Sequence, residues 1–232
     1  MVGSGTIANV AAIAGGSLIG LVIGKKIKEK YQETVLHGLS LCVMMLGLQM
    51  AFQGQHILIT IASLVIGSIL GEAMDIEGRL EKIGIRLAHF FNRKGGSASE
   101  NAFVQGFLYT SLLYCVGAMA IVGSIQDGMS GNPSTLYTKA AIDGLSGIVY
   151  AANMGVGVMF SSLAVGAYQG MLTVLADFLG PYLSQVVIQE ISAAGGLMIL
   201  GVGINMAKML KIRVGNMLPG LFVAGVLASV VI

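Results

Sequence analysis

Long apolar runs separated by short polar breaks cover almost the whole of this 232-residue chain. The runs fall near 4–24, 35–53, 57–71, 102–125, 134–153, 158–178, 191–208 and 215–232. A helix needs about 20 predominantly apolar residues to cross a bilayer, so the pattern predicts an all-α, polytopic membrane bundle of about eight spans. Residues 1–232 read as one integral membrane domain, and the third run is short for a full crossing. Residues 75–92 follow a different rule. There Ile76, Leu80, Ile83, Leu87 and Phe90 recur at helical spacing, while Glu77, Arg79, Glu81, Lys82 and Arg86 lie off that stripe. This predicts an amphipathic helix, lying on the cytoplasmic membrane surface or docked against a neighbouring subunit. Residues 93–100 read as a linker, in which Ser97 and Glu100 have the spacing of a capping box for the next helix.

Composition fixes the solvent. Apolar residues make up 55% of the chain and charged residues 10%, with a mean hydropathy of +0.85. A soluble domain carries about 25% charged residues, so the surface of this one faces lipid. A net charge of +2 is too small to point to nucleic acid. Cys42 and Cys115 each fall inside an apolar run, which argues against a disulfide framework. The opening MVGSGTIANVAA lacks a basic stretch before its apolar run, so the first segment reads as a retained span rather than a cleaved signal.

The placement of charge gives the orientation, because cytoplasmic loops are enriched in Lys and Arg. One cluster (Lys25, Lys26, Lys28, Lys30) follows the first run, a second (Arg79, Lys82, Arg86, Arg93, Lys94) the third, and a last (Lys208, Lys211, Arg213) the seventh. Eight spans put all three on the cytoplasmic side and both termini on the other. A single crossing by 134–178 would strand the last cluster outside, so two crossings are expected there. Order and spacing also hint at a duplication. LGLQMA at 46–51 resembles VGINMA at 202–207, 156 positions later, and at that offset Gly24 aligns with Gly180 and span 1 with span 6. Spans 1–3 and 6–8 would then form an inverted repeat, an architecture common in transporters.

Of the Lys and Arg residues, Lys139 alone lies outside the three clusters. It opens a polar stripe, Lys139, Asp143, Ser146, Tyr150 and Asn153, whose steps of three and four put all five on one helical face about 21 Å long. Ile142, Leu145, Val149 and Ala152 form the opposite face. Asn132 and Pro133 signal the start of this helix, as N-cap and first helical residue. The next segment has a similar stripe, Ser162, Gly166, Gln169, Thr173 and Asp177. Two such faces line a solute or ion route, or else hydrogen-bond across helices and hold the bundle together. The intramembrane charges favour the route, since ionisable groups in hydrocarbon are costly and usually functional.

Other residues add less. Asp127, in the SIQDGMSGNPS connection, reads as part of an Asp-Gly turn or as an acceptor at the outer mouth of the route, and Asp177 beside Gly-Pro has the same two readings. Glu190 and Glu72 flank spans and read as interfacial. Gly16, Gly20 and Gly24 form overlapping small-xxx-small motifs for close helix packing, within a subunit or between subunits. Gly155 and Gly157 read as a tight turn. Fourteen scattered Met residues are gap-filling hydrophobes rather than a soft-metal path, and His37, His56 and His89 form no ligand motif, so no metal or cofactor is expected. No nucleophile elbow, P-loop, HExxH or dinucleotide fingerprint occurs, and catalysis is not expected.

CVGAMAIVGSIQDGMSGNPSTLYTKAAIDG (115–144), LMILGVGINMAKMLKIRVGNMLPGL (197–221) and the opening GTIANVAAIAGGSLIG (5–20) resemble the domain-of-unknown-function 554 family, the YdfK/YqgA-like bacterial inner-membrane proteins. The resemblance implies a multi-spanning membrane protein, sometimes described as a transporter. It supplies no substrate and no binding residues. The expectation is therefore passage of a small solute or ion across the bacterial inner membrane, with a homo-oligomer packed through the glycine face. The alternative is a scaffold or assembly protein whose polar faces serve helix packing.

Overall fold

A computed structural model describes residues 1–24, 28–91 and 97–231. Every regular element among them is helical. They are α1 (Ser4–Gly24), α2 (Glu29–Ala51), α3 (Ile57–Met74), α4 (Ile76–Phe91), α5 (Ser97–Cys115), α6 (Ala118–Ser130), α7 (Ser134–Met154), α8 (Gly157–Val174), the short α9 (Ala176–Leu179), α10 (Gln185–Met206) and α11 (Pro219–Val231). Among the described residues six segments are long and apolar enough to cross a membrane: α1, Lys30–Ala51, α3, α8, α10 and Val214–Val231. A seventh is possible if α5 and α6, bent by 62° at their junction, count as one. The 21-residue α7 is not among the six, because its polar face lowers its hydropathy.

Two expectations are corrected here. The run 102–125 is not one straight helix: it breaks at Val116 and Gly117. Gly117 has φ 156° and ψ 150°, a backbone region essentially closed to residues with a Cβ. The connection around Asp127 is not a turn either, since α6 continues through it and ends on Gly131 at φ 64°. Asn132 Oδ1 accepts from the Ser134 N–H at 3.2 Å, which starts α7 one position later than expected. Gly155, at φ 81°, ends α7 in a tight turn, whereas Gly157 serves packing: a Cβ there would stand 2.0 Å from the Phe103 carbonyl oxygen. Of the linker expected at 93–100, residues 93–96 lie outside what is described, whereas 97–100 form the first turn of α5; the side chains of Ser97 and Glu100 are likewise outside it.

Glycine sets the helix directions. A Cβ on Gly16 or Gly20 would stand 2.1 Å from the carbonyl oxygen of Gly144 or Ile148, and one on Gly24 2.5 Å from that of Ala152. These contacts advance together along both chains, so α1 and α7 run parallel and touch backbone to backbone. Three other pairs run antiparallel. Asn9 and Val10 of α1 meet Gln169 and Gly166 of α8. Gly67 and Gly71 of α3 meet Gly220 of α11 and Asn216 just before it. Gly47 of α2 meets Leu200 and Gly196 of α10, while Gly203 of α10 meets Met44 and Ser40 of α2. Gly24 and Gly180 do not share surroundings, as one packs on Ala152 and the other on Met129.

α10 is the central helix, mostly buried by its neighbours, and α2 is peripheral, mostly exposed on the outside of the bundle. The main core gathers Ile13, Val43, Tyr150, Val165, Met198 and Val202 from five helices. α4 lies beside α5, with Leu87 and Ala88 packed among Phe103, Phe107 and Phe160. Gln32 bonds Gly24, Arg213 pairs with Glu72, and the Gly215 N–H donates to Glu77, so the ends of the chain that carry the described basic clusters gather at one end of the bundle. Lys139 belongs to the opposite half.

Candidate functional site

The outward face of α7 exposes Ile142, Leu145 and Val149, as an apolar stripe in lipid should. Its other face turns Lys139, Asp143 and Tyr150 inward, 7%, 5% and 4% exposed. Asp143 lies about 14 Å along a helix about 31 Å long, so it sits near mid-length, with Lys139 one turn earlier. Lys139 Nζ pairs with Asp143 Oδ2. The ammonium also lies 5.7 Å from the centroid of the Tyr114 ring, at the broken end of α5. The orphan carbonyls of that helix end carry partial negative charge, which favours a cation there. Tyr114 OH is 3.2 Å from Ser146 Oγ, and Ser146 Oγ donates to the Asp143 carbonyl at 3.0 Å.

Asn9, on α1, ties three helices together. Its Nδ2 donates to Asp143 Oδ2 at 3.0 Å and to Gln169 Oε1 of α8 at 3.3 Å. Both amide protons are then used, and Asn9 Oδ1 and Gln169 Nε2 have no partner among the described residues. One turn toward the α1 N-terminus, Asp127 Oδ2 accepts the Gly5 N–H at 3.1 Å. Asp127 is fully buried, and its Oδ1 has no partner, nor do Thr6 Oγ1, Ser124 Oγ and Thr173 Oγ1. A buried polar atom left dry costs roughly 1–3 kcal/mol. Six such atoms, on α1, α6 and α8, gather beside the ion pair of α7.

The remaining sequence candidates lie apart from this cluster. Tyr150 belongs to the apolar core and meets the Tyr114 ring at 6.4 Å. Asn153 Nδ2 donates to the Val149 carbonyl and Ser162 Oγ to the Met159 carbonyl, each within its own helix. Asp177 is exposed in α9. Glu190, expected at an interface, is fully buried inside α10, where Oε1 accepts the N–H groups of Gln55 and His56 and meets His56 Nδ1 at 3.2 Å. Asn9, Thr6, Tyr114 and Ser124 were not among the candidates. The signal for two of them was legible: Thr6, Asn9 and Ser17 are polar residues at helical spacing inside an apolar run. No group of three or more His, Cys, Asp or Glu able to hold a metal occurs among the described residues, and Cys42 and Cys115 are free thiols.

Two cavities lie on the basic side of the cluster. One, about 230 Å³, is lined by Glu77 and Glu81 of α4, Asn101, Gln105, Tyr109 and Leu112 of α5, and Asn205 and Lys211. Burial pushes the Glu77 carboxyl above the usual carboxylate range, against the opposing pull of the Gly215 N–H. The second, about 190 Å³ and almost wholly apolar, is lined by Leu108, Leu112, Cys115, Val116 and Tyr168. Both reach Leu112, two residues before Tyr114.

The fold and this cluster define a helical membrane protein with a broken helix and a buried polar centre. The chain belongs to the family described as protein of unknown function (DUF554), whose model matches residues 4–229. It is similar to the "Uncharacterized membrane protein YdfK" of Bacillus subtilis (strain 168), 28% identical over 231 residues that cover 98% of this chain and 96% of that one. It is also similar to the "Uncharacterized protein YqgA" of Escherichia coli (strain K12), 22% identical over 220 residues that cover 95% and 94%. No solved structure matches.

Proposed function

We propose that this protein transports a small solute or ion across the bacterial inner membrane, with the polar centre between α1, α6, α7 and α8 as its occluded site. One observation carries the reading: a buried ion pair and six unpartnered polar atoms lie beside a helix broken at Gly117. Discontinuous helices and polar groups near mid-membrane are the parts from which transporter sites are built. The two cavities support an arrangement open toward the cytoplasm and closed by Leu112 and Tyr114.

The helix directions fit eight crossings, with α5 and α6 together as the fourth, both termini outside and α4 on the cytoplasmic surface. They also fit an inverted repeat. At an offset of 156 positions Gly47 corresponds to Gly203, Leu200 to Met44 and Gly196 to Ser40. The contacts match in the same way: a Cβ on Gly47 would lie 2.5 Å from Leu200 N and 2.6 Å from Gly196 O, and one on Gly203 2.9 Å from Met44 N and 3.0 Å from Ser40 O. Val10 and Gly166, which touch, stand at the same offset, as expected for residues on the dyad.

A scaffold is the second reading, favoured by the closure of Lys139 and Asp143 on each other within one helix. Flux through proteoliposomes separates the two. The transport reading expects a solute or ion in a broad screen to move with the wild type and to stop with the double variant Lys139→Met, Asp143→Leu, while the fold is kept. A wild type that passes nothing, with unchanged partner binding by the double variant, leaves the scaffold.

A further inference from the structure

Two carboxylates and one ammonium are buried where α1, α6, α7 and α8 meet. Lys139 is committed to Asp143. Asp127 has the N-terminus of α1 and one N–H, from Gly5, and among the described residues no positively charged side chain bonds it. A fully buried carboxylate so thinly held needs a further positive charge, because burial of an unpaired ion is strongly unfavourable.

Of the six unpartnered atoms at this junction five are oxygens, and the sixth is Gln169 Nε2, beside Asn9. Thr6 follows Gly5, the residue that bonds Asp127. The Thr173 carbonyl would stand 2.3 Å from a Cβ on Gly128, the residue after Asp127. Because α1 and α8 run antiparallel through the Asn9–Gln169 contact, Thr6 and Thr173 come level one turn beyond it. Ser124 lies one turn before Asp127 on α6, and Asn9, whose Oδ1 has no partner among the described residues, lies one turn after Gly5 and Thr6 on α1.

We propose that Asp127 Oδ1, the hydroxyls of Thr6, Ser124 and Thr173, and Asn9 Oδ1 bind a dehydrated monovalent cation of the size of sodium. One carboxylate with neutral oxygens matches a single charge, and the bound ion brings the buried cluster to neutrality. Calcium sites use six to eight oxygens and usually several carboxylates, and soft metals take sulfur or imidazole, so neither fits this donor set. The ion's role in driving a solute rests on the transport reading, but its binding does not.

Thermal unfolding of the purified full-length chain in sodium chloride against choline chloride, at equal ionic strength, tests the site. The expected result is a saturable rise in melting temperature specific to sodium in the wild type and absent in Asp127→Asn. No sodium-specific rise in the wild type overturns the proposal, as does a rise retained by Asp127→Asn. So does a wild type that responds to lowered pH but to sodium at no pH, which makes the occupant a proton. If Asp127→Asn does not fold, Thr173→Val and Ser124→Ala keep the carboxylate, and each should raise the half-saturating sodium concentration about tenfold; unchanged values overturn the site. A sodium-dependent rise without solute flux removes transport and leaves the site, while flux without that rise removes the site alone.

Discussion

Asn9 Nδ2 and Lys139 Nζ both donate to Asp143 Oδ2, so the carboxylate that holds the α7 ammonium also anchors the first helix. α1 and α7 are thereby joined twice, by this bond and by the glycine contacts about two to four turns further along α1. The polar centre and the α1–α7 glycine interface share one scaffold, and changes in either should be felt by both.

Removing one member of the ion pair strands the other. Asp143→Asn or Lys139→Met alone should destabilise by about 3–5 kcal/mol, because an uncompensated charge stays buried. The double replacement Lys139→Met, Asp143→Leu should be close to neutral. Unfolding in detergent, run as a double-mutant cycle, should therefore give a large coupling energy. Additive losses would mean that the two groups are independently solvated.

The glycine face of α1 tolerates nothing larger. Gly16→Val or Gly20→Val would drive side-chain atoms into the backbone of α7, and each should cost at least about 1–3 kcal/mol. Gly15→Ala, with open space around it, should lie within about 0.5 kcal/mol of the wild type. Melting temperatures of the three variants check the contrast. The same loss should appear whatever the oligomeric state, since this contact is within one chain.

Glu77 predicts a pH effect opposite in sign to ordinary acid denaturation. Its folded pKa is raised by burial, so the folded chain binds that proton more tightly than the unfolded chain. Its contribution is fully present below the unfolded value and is lost as pH rises through the raised one. Glu77→Gln should flatten the pH dependence of stability above the ordinary carboxylate range. A steeper dependence in the variant would show that the Gly215 N–H outweighs burial.

Orientation has its own check. Single cysteines replacing Gln55 and Ser130 should react with an impermeant reagent from the periplasmic side, and those replacing Lys30 and Lys211 from the cytoplasmic side. Labelling of Ser130→Cys and Lys211→Cys from the same side would contradict eight crossings.

Much of the fold was legible from apolar runs alone, because lipid imposes a single rule on every outward position. Ile142, Leu145 and Val149 obey it, and so does the burial of the Lys139 face. The break at Gly117 escaped because both halves are apolar, and a hydropathy pattern does not register a glycine that changes direction. Asp127 was misplaced for a related reason: Asp-Gly is a turn signal in water, but here the neighbouring glycine admits the backbone of Thr173 and the helix continues. Asn9 escaped although it shares helical spacing with Thr6 and Ser17, because three small polar residues in an apolar run are an ordinary packing pattern. Its partners are 134 and 160 positions away, and spacing along one helix carries no information about them.

The central claim is that the polar centre is an occluded site rather than a sealed polar contact. Its most direct test is the reactivity of Gln169→Cys, in a chain with Cys42 and Cys115 replaced, toward a small cationic thiol reagent applied from each side of oriented vesicles. The account predicts reaction from the cytoplasmic side, reaction from the periplasmic side at a slower rate, and protection by bound substrate or ion. A folded protein whose Gln169→Cys thiol reacts from neither side would contradict it.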